Sequence, residues 1–152
     1  MPCIQPQRQL VRLQPLDGNV YQVSPTGALT LFVTVPSNNN AGISHMTFDS
    51  SGNMYITNWY IQGVDEITPA GVLSTYATGI VNPTGMAFDS SGNLYVSSET
   101  PNGFVSKVTP NGTISTFATG FHYAERLAFD GSGNLYVANT TYQNDTSSEI
   151  GL

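Results

Sequence analysis

An eight-residue pattern occurs three times in the chain and constrains its fold more than any other feature. It reads Phe-Asp-Ser-Ser-Gly-Asn-Met-Tyr at 48–55, Phe-Asp-Ser-Ser-Gly-Asn-Leu-Tyr at 88–95 and Phe-Asp-Gly-Ser-Gly-Asn-Leu-Tyr at 129–136. The phenylalanines at 48, 88 and 129 are therefore 40 and 41 residues apart. A period of this length is typical of propeller blades or of solenoid repeats.

Each copy of the pattern predicts a hairpin. Apolar residues lead into and out of it, the aspartate can cap the backbone amides of the turn, and the glycine can take the left-handed conformation. A second hairpin is predicted around the Pro-x-Gly turns at 25–27, 69–71 and 110–112, where apolar and polar residues alternate on both sides. One period thus contains four short strands and no helical periodicity, which indicates a propeller blade.

The predicted fold is all-β, a partial β-propeller of four-stranded antiparallel blades with about three blades per chain. After an irregular segment at 1–15, the β-propeller repeats occupy 16–152, and the predicted boundaries are a half blade at 18–34, blades at 42–79 and 83–120, and a half blade at 124–152. Propellers close with about 4 to 8 blades, and a half blade at either end leaves an open sheet edge. Two explanations remain open: the chain is a fragment of a larger propeller, or two copies form a head-to-tail homodimer that completes a six-bladed ring.

Composition excludes some classes of function. Only 9% of the residues are charged, and four Lys+Arg with a net charge of −6 cannot neutralise a nucleic-acid backbone. No run of about 18 apolar residues predicts a membrane span, and the first 15 residues lack the apolar region of a signal peptide. A single cysteine, Cys3, excludes an intrachain disulfide and a cysteine-based metal cluster. The wealth of Ser, Thr and Asn favours an exported bacterial protein, extracellular or periplasmic.

Residues 83–96 together with 105–112 resemble the NHL repeat and its relatives among the gluconolactonase-like (senescence-marker-protein-like) six-bladed propellers. The resemblance covers about residues 18–139, and it implies a fold that hosts lactonases, lyases and non-catalytic binding proteins. The typical family pattern ends the second strand of a blade with Ala-Asp, whereas this chain has Thr-Asn at 57–58, Ser-Ser at 97–98 and Ala-Asn at 138–139. The Glu-Gly-Pro motif of the lactonase metal site does not occur, so no metal ligand is carried over and no cofactor is expected, except a divalent cation if the chain is an enzyme.

Candidate ligand-binding residues lie just before the first strand and just after the second strand of each blade, where a propeller has its channel mouth. Alignment of the repeats places His45, Gly85 and Arg126 at one position, and Ser44, Thr84 and Glu125 at the preceding one. His45, Glu125 and Arg126 could line a pocket for a small polar or anionic ligand, with His45 as a general base. The alternative is that these side chains lie at loop edges and bind neighbouring backbone.

Further candidates follow the second strands or precede the third repeat. They are Asn58, Trp59, His122 and Asn139. Trp59 could stack on a sugar or a peptide, or it could pack between blades. Asp49, Asp89 and Asp130 are each interpreted as turn caps, since one carboxylate per loop is too few for Ca²⁺.

The predicted function is a non-catalytic binding or scaffold module that presents the loops of one propeller face to a peptide, protein or glycan. The alternative is a metal-assisted enzyme of the lactonase or lyase type that acts at the mouth of the central channel.

Overall fold

The chain folds into β-strands joined by short turns. A computed structural model describes residues 18–36 and 42–140, which contain twelve strands and no helix. The strands are β1 Gly18–Val23, β2 Leu29–Val35, β3 Ile43–Phe48, β4 Met54–Asn58, β5 Gly63–Ile67, β6 Leu73–Thr78, β7 Pro83–Phe88, β8 Leu94–Ser98, β9 Gly103–Val108, β10 Ile114–Phe121, β11 Ala124–Phe129 and β12 Leu135–Asn139.

Consecutive strands pair into antiparallel sheets. Strands β3 to β6 form one four-stranded sheet in sequence order and β7 to β10 form another. Strands β1 and β2 form a two-stranded sheet, as do β11 and β12. The predicted fold class, an all-β partial propeller with four-stranded antiparallel blades, is therefore confirmed.

The repeated aspartate fixes the turn between the first and second strands of a sheet. The Oδ1 atom of Asp89 accepts hydrogen bonds from the backbone N–H groups of Ser91 and Asn93, both at 2.9 Å. Gly92 takes a φ of 79°, which a residue with a side chain rarely adopts. The same bonds recur at Asp49 and Asp130, so the predicted turn-capping role of the three aspartates is present in the structure.

The core lies between neighbouring sheets. Residues from β4 through β9 form one buried cluster, which includes Tyr55, Val64, Met86, Leu94 and Val96. Val20, Val35, Met54, Ile56 and Ile67 form a second cluster between the β1–β2 sheet and the β3–β6 sheet. The first strands approach each other, β3 with β7 and β7 with β11. This convergence positions the candidate site.

Two sequence predictions fall outside the described residues. These are the irregular segment at 1–15 and the part of the last half blade beyond residue 140. Over the described part of the chain, there is no helix with the length and apolar character that crossing a membrane requires.

Candidate functional site

Each first strand contains an irregularity at the same place. The register of β3 against β4 shifts between Ile43 and Met46, and that of β7 against β8 shifts between Pro83 and Met86. The register of β11 against β12 shifts between Ala124 and Arg126. Bulges of this kind redirect side chains and are frequent beside functional sites. The residues inside or directly next to these bulges are Ser44, His45, Thr84, Gly85, Glu125 and Arg126.

Hydroxyl groups on the second strands hold the first two bulges in place. The backbone N–H of His45 donates to Thr57 Oγ1 at 2.9 Å, and that of Gly85 donates to Ser97 Oγ at 2.8 Å. Each of these hydroxyls also pairs with a hydroxyl in the bulge, Ser44 with Thr57 at 2.9 Å and Thr84 with Ser97 at 3.1 Å. Thr57 and Ser97 occupy the position at which the family pattern has alanine, so this departure from the pattern has a structural role.

The second of these hydroxyl pairs also joins its sheet to the next one. Thr84 Oγ1 donates to the carbonyl of Ala124 at 2.9 Å, and Ser97 Oγ lies 3.3 Å from the carbonyl oxygen of Glu125. A Cβ atom on Gly85 would lie 2.3 Å from that same Glu125 carbonyl oxygen. Position 85 must therefore be a glycine, although the other two repeats have His45 and Arg126 there.

The third repeat lacks the hydroxyl pair. Glu125 takes the place of Ser44 and Thr84, and Ala138 takes the place of Thr57 and Ser97. Because Ala138 has no hydroxyl group, it cannot pair with Glu125 as Thr57 pairs with Ser44 and as Ser97 pairs with Thr84.

Five polar residues of the bulges and Glu99, which follows β8, surround one hollow of about 280 Å³, which we call the polar pocket. It is lined by Ser44, His45, Thr84, Glu99, Glu125 and Arg126. His45, Glu99 and Glu125 are half-buried, and Arg126 is exposed at the rim. The structure therefore brings three of the predicted residues, His45, Glu125 and Arg126, into one site.

The imidazole of His45 has a defined protonation state. Its Nδ1 atom accepts a hydrogen bond from the backbone N–H of Met86 at 3.2 Å. Burial lowers the pKa of His45, and the positive charge of Arg126 lowers it further. A neutral imidazole that accepts at Nδ1 carries its proton on Nε2, so the second ring nitrogen is a hydrogen-bond donor.

Glu99 is the residue of the polar pocket that the sequence analysis missed. Burial raises the pKa of its carboxyl group, and the nearby charge of Glu125 raises it further. Its backbone N–H donates to the carbonyl of Asn82 at 2.9 Å, which fixes the start of the loop. Glu99 follows β8 directly, just as Trp59 follows β4, so the rule that selected Trp59 could also have selected Glu99.

Neither Trp59 nor Asn58 lines the polar pocket, and Asn58 instead lines a separate hollow of about 190 Å³ with Tyr60 and Asp65. Trp59 Nε1 donates to the carbonyl of Pro83 at 2.6 Å, and the same oxygen lies 3.4 Å from Ser44 Oγ. Asn58 is only 1% exposed. Its Nδ2 donates to Asp65 Oδ2 at 2.8 Å and to the carbonyl of Pro36 at 3.2 Å. Both side chains thus hold the loop between β4 and β5.

His122 and Asn139 are neighbours at a separate place. The backbone N–H of His122 donates to Asn139 Oδ1 at 2.6 Å. The exposed His122 lines another hollow of about 350 Å³, together with Pro101, Asn102 and Phe104. The structure therefore does not bring His122 and Asn139 to the polar pocket.

The described residues do not fit the divalent cation of the lactonase propellers. Over 18–36 and 42–140, no group of three or more His, Cys, Asp or Glu side chains is arranged to hold a metal ion. We therefore derive no chemical step through a metal.

Comparison with known proteins identifies the fold. No protein-family model matches the chain, and no curated protein matches it significantly. Among solved structures, it is similar to a streptogramin B lyase, with a TM-score of 0.69 and 16% identity over 80% of this chain and 41% of that one. It is also similar to selenomethionine-substituted virginiamycin B lyase from Staphylococcus aureus, with a TM-score of 0.66 and 16% identity over 80% of this chain and 42% of that one.

A third similar structure is a putative gluconolactonase, with a TM-score of 0.55 and 19% identity over 78% of this chain and 49% of that one. The chain thus spans between two fifths and one half of the length of these proteins. At these identities the comparisons establish a shared propeller fold of the lyase and gluconolactonase-like type, and they say nothing further about activity.

Proposed function

We propose that the chain consists of NHL-like propeller blades and that its polar pocket binds a small polyhydroxylated group, such as one sugar residue of a glycan, without transforming it. The observation that carries this proposal is the convergence of His45, Glu99, Glu125 and Arg126 around one hollow. These four side chains come from two first strands and one loop that are far apart in sequence.

The hydrogen-bonding character of the polar pocket supports a sugar. His45 Nε2 and the Arg126 guanidinium donate, whereas the Glu99 and Glu125 carboxylates accept. A hydroxyl group is both a donor and an acceptor, so a ring that carries several hydroxyls can satisfy all four side chains together. A simple anion or a simple cation would satisfy only half of them.

The size of the polar pocket supports a small group. Its volume of about 280 Å³ lies just below the range of about 300 to 1,000 Å³ that is usual for sites that enclose drug-sized ligands. One ring with its substituents fills such a space, and the open rim at Arg126 leaves room for the rest of a longer glycan.

The state of His45 favours binding over catalysis. A general base needs a free lone pair within reach of the substrate proton. In His45 the lone pair of Nδ1 already accepts the Met86 N–H, and Nε2 carries the proton. The imidazole therefore acts as a fixed donor. The composition, rich in Ser, Thr and Asn and poor in Lys, supports an extracellular or periplasmic location, where glycans are abundant.

Ligand-observed NMR against a panel of neutral mono- and disaccharides tests this function. We expect one or more sugars to bind the wild-type protein, and Arg126→Ala and Glu125→Gln to weaken that binding about tenfold or more, the effect of losing one charged hydrogen bond. Glu66→Gln is the matched control, because Glu66 lies outside the polar pocket and accepts a hydrogen bond from the Tyr55 hydroxyl. Equal binding by Arg126→Ala, or equal weakening by Glu66→Gln, would contradict the proposal.

A second candidate is a lyase- or lactonase-type reaction at the same site. The observation that favours it is the pair Glu99 and Glu125, since two neighbouring carboxyl groups in different environments can divide the roles of acid and base. Turnover of an aldonolactone, with or without Mg²⁺, Ca²⁺ or Zn²⁺, that is lost in Glu99→Gln would support this candidate. Binding of a sugar without turnover of the lactone would support the first candidate, a non-catalytic binding site.

A further inference from the structure

The two half sheets of the chain are complementary. In both complete sheets the second strand pairs with the third, β4 with β5 and β8 with β9. The β11–β12 sheet contains the Asp-x-Ser-Gly-Asn turn and so corresponds to a first and second strand. The β1–β2 sheet contains the Pro-x-Gly turn and so corresponds to a third and fourth. Within the described residues, β12 and β1 each pair on one side only.

A tyrosine in the second strand packs in the same way in both complete sheets. Tyr55 meets Tyr76 of its own sheet edge-on at 4.9 Å and Phe88 of the next sheet at 5.0 Å. Tyr95 repeats this arrangement with Phe117 at 4.8 Å and Phe129 at 5.0 Å. Each tyrosine thus fills a socket formed by the fourth strand of its sheet and the first strand of the following one.

Within residues 18–36 and 42–140, no such socket lies beside the third tyrosine of the repeat. Tyr136 is 61% exposed, and its hydroxyl donates to Asp130 of its own turn at 3.3 Å. Its position in β12 corresponds to that of Tyr55 in β4 and Tyr95 in β8. The described residues place no aromatic ring against it.

A site of the same kind, without a tyrosine in it, lies between the β1–β2 sheet and β3. Phe32 in β2 corresponds to Tyr76 and Phe117, and Phe48 in β3 corresponds to Phe88 and Phe129. Phe32 and Phe48 line a hollow of about 410 Å³ with Val20, Met46 and Met54, and Phe48 is 56% exposed. The hollow is the place at which a second-strand tyrosine would lie if the β1–β2 sheet were complete.

We propose that two copies of this chain pair head to tail, with β12 of each copy adding to β1 of the other and Tyr136 filling the hollow between Phe32 and Phe48 of the second copy. The complete sheets give the register. Tyr55 faces Glu66 and Tyr95 faces Lys107, so Tyr136 faces Gln22. The described residues of each copy form two complete sheets and two half sheets, so they would form six sheets in a pair.

The chemistry of the junction fits this pairing. Tyr55 donates its hydroxyl hydrogen to Glu66 at 3.1 Å, and the Lys107 ammonium lies 5.6 Å from the centre of the Tyr95 ring. Gln22 at the corresponding position is a neutral amide that can accept from Tyr136. Neither β12, Leu-Tyr-Val-Ala-Asn, nor β1, Gly-Asn-Val-Tyr-Gln-Val, contains a charged residue, so no like charges are brought together.

A second copy covers the open edges of both β1 and β12 at once. A strand from an unrelated peptide could pair with one edge, but it would leave the other edge and the other aromatic site open, and open edges favour further association. Two identical chains related by a twofold axis cover both edges with the same contact used twice. The polar pocket lies within one copy, so the pairing can fail without affecting the proposed function.

Solution mass is the first test. Light scattering on the full chain at micromolar concentration should give about twice 16.2 kDa, and Tyr136→Ser should reduce the mass to that of a monomer. Tyr60→Ser is the matched control, because Tyr60 is also an exposed tyrosine, at 52%, and lies outside the hollow. A monomeric wild-type protein, or a Tyr136→Ser variant that remains dimeric, would overturn the proposal.

Disulfide trapping is the second test and does not depend on a destabilising substitution. In a Cys3→Ser background, Val137→Cys with Tyr21→Cys should give a covalent dimer under oxidation, because directly opposed residues have Cα atoms about 4.5 to 5.5 Å apart, within the range for a disulfide. Val137→Cys with Thr34→Cys should give none, since β2 lies one strand further away. Cross-linking of the second pair instead of the first, or a ladder of higher oligomers, would overturn the closed pairing.

Discussion

The Nδ1 atom of His45 accepts a hydrogen bond from the backbone N–H of Met86 at 3.2 Å, across the boundary between two propeller blades. This bond has two consequences. It locks the orientation of the imidazole toward the polar pocket, and it selects the tautomer that presents Nε2–H to a ligand.

The titration of His45 should reflect its surroundings. Burial and the charge of Arg126 lower its pKa below the ordinary value of 6.5. We therefore expect ¹⁵N NMR to show the Nε2–H tautomer at pH 7 and a titration midpoint below 6.5. Arg126→Ala should raise that midpoint, because the second cause of the shift is removed. A protonated ring at pH 7, or a midpoint that does not change in the variant, would contradict this assignment.

The same shift predicts how stability depends on pH. In the unfolded chain the imidazole takes up its proton near pH 6.5, whereas in the folded protein it does so only at lower pH. The unfolded state therefore binds more protons between these two values, and the free energy of unfolding should fall as the pH drops from about 6.5 toward the folded pKa. Urea denaturation at several pH values measures this, and Arg126→Ala should make the decrease smaller.

The hydroxyl of Ser97 should be important for stability. Its Oγ atom is fully buried within the strand and accepts the N–H of Gly85. Ser97→Ala leaves that buried donor unpaired, and we expect the free energy of unfolding to fall by about 1 to 3 kcal/mol. Ser115→Ala on exposed β10 is the control and should change it by less than about 0.5 kcal/mol. Equal effects of the two substitutions would show that the hydroxyl pair does not stabilise the bulge.

Gly85 should tolerate no side chain. An added Cβ would lie 2.3 Å from the carbonyl oxygen of Glu125, so Gly85→Ala must push β11 away from β7. We expect a loss of at least about 2 kcal/mol in thermal or urea denaturation. At Gly131 a Cβ meets nothing within 4 Å, and Gly131→Ala should be nearly neutral. A stable Gly85→Ala variant would mean that the two first strands are further apart than described.

The turn aspartates should contribute unequally. Asp89 and Asp130 make the same hydrogen bonds, but the turn of Asp89 belongs to a complete four-stranded sheet and that of Asp130 belongs to a two-stranded half sheet. Asp89→Ala should cost about 1 to 2 kcal/mol, and Asp130→Ala should cost less. Since these bonds lower the pKa of both carboxyl groups, the contribution is present above about pH 4 and is lost as the pH falls through the folded pKa. The reverse order of the two variants would contradict this account.

Local signals in the sequence were enough to predict the strands and turns. The period of about 40 residues, the capping aspartates and the Pro-x-Gly turns act over a few residues each, and each repeat supplies them independently. The all-β propeller fold therefore follows from the chain, and alignment of the repeats also marked His45 and Arg126 at one position and Glu125 at the position before it.

The remaining features of the site depend on how separate sheets approach each other. Glu99 reaches the polar pocket because β7 and β11 lie close together at Gly85. This distance between two sheets cannot be predicted from a sequence pattern within one repeat. Phe117 is a second example: it is 51% exposed on the outer strand, although it packs edge-on against the buried Tyr95. Burial at the edge of a sheet is set by the neighbouring blade and not by the identity of the residue.

The most direct test of the central claim is a titration of isotope-labelled protein with the sugars that bind, followed by ¹H–¹⁵N NMR. We predict chemical-shift changes concentrated at the backbone amides of His45, Met86, Glu99, Glu125 and Arg126, and much smaller changes in Arg126→Ala at the same sugar concentration. If no sugar perturbs these amides, or if the changes cluster around His122 and Asn139 instead, the polar pocket is not the binding site and the proposed function is wrong.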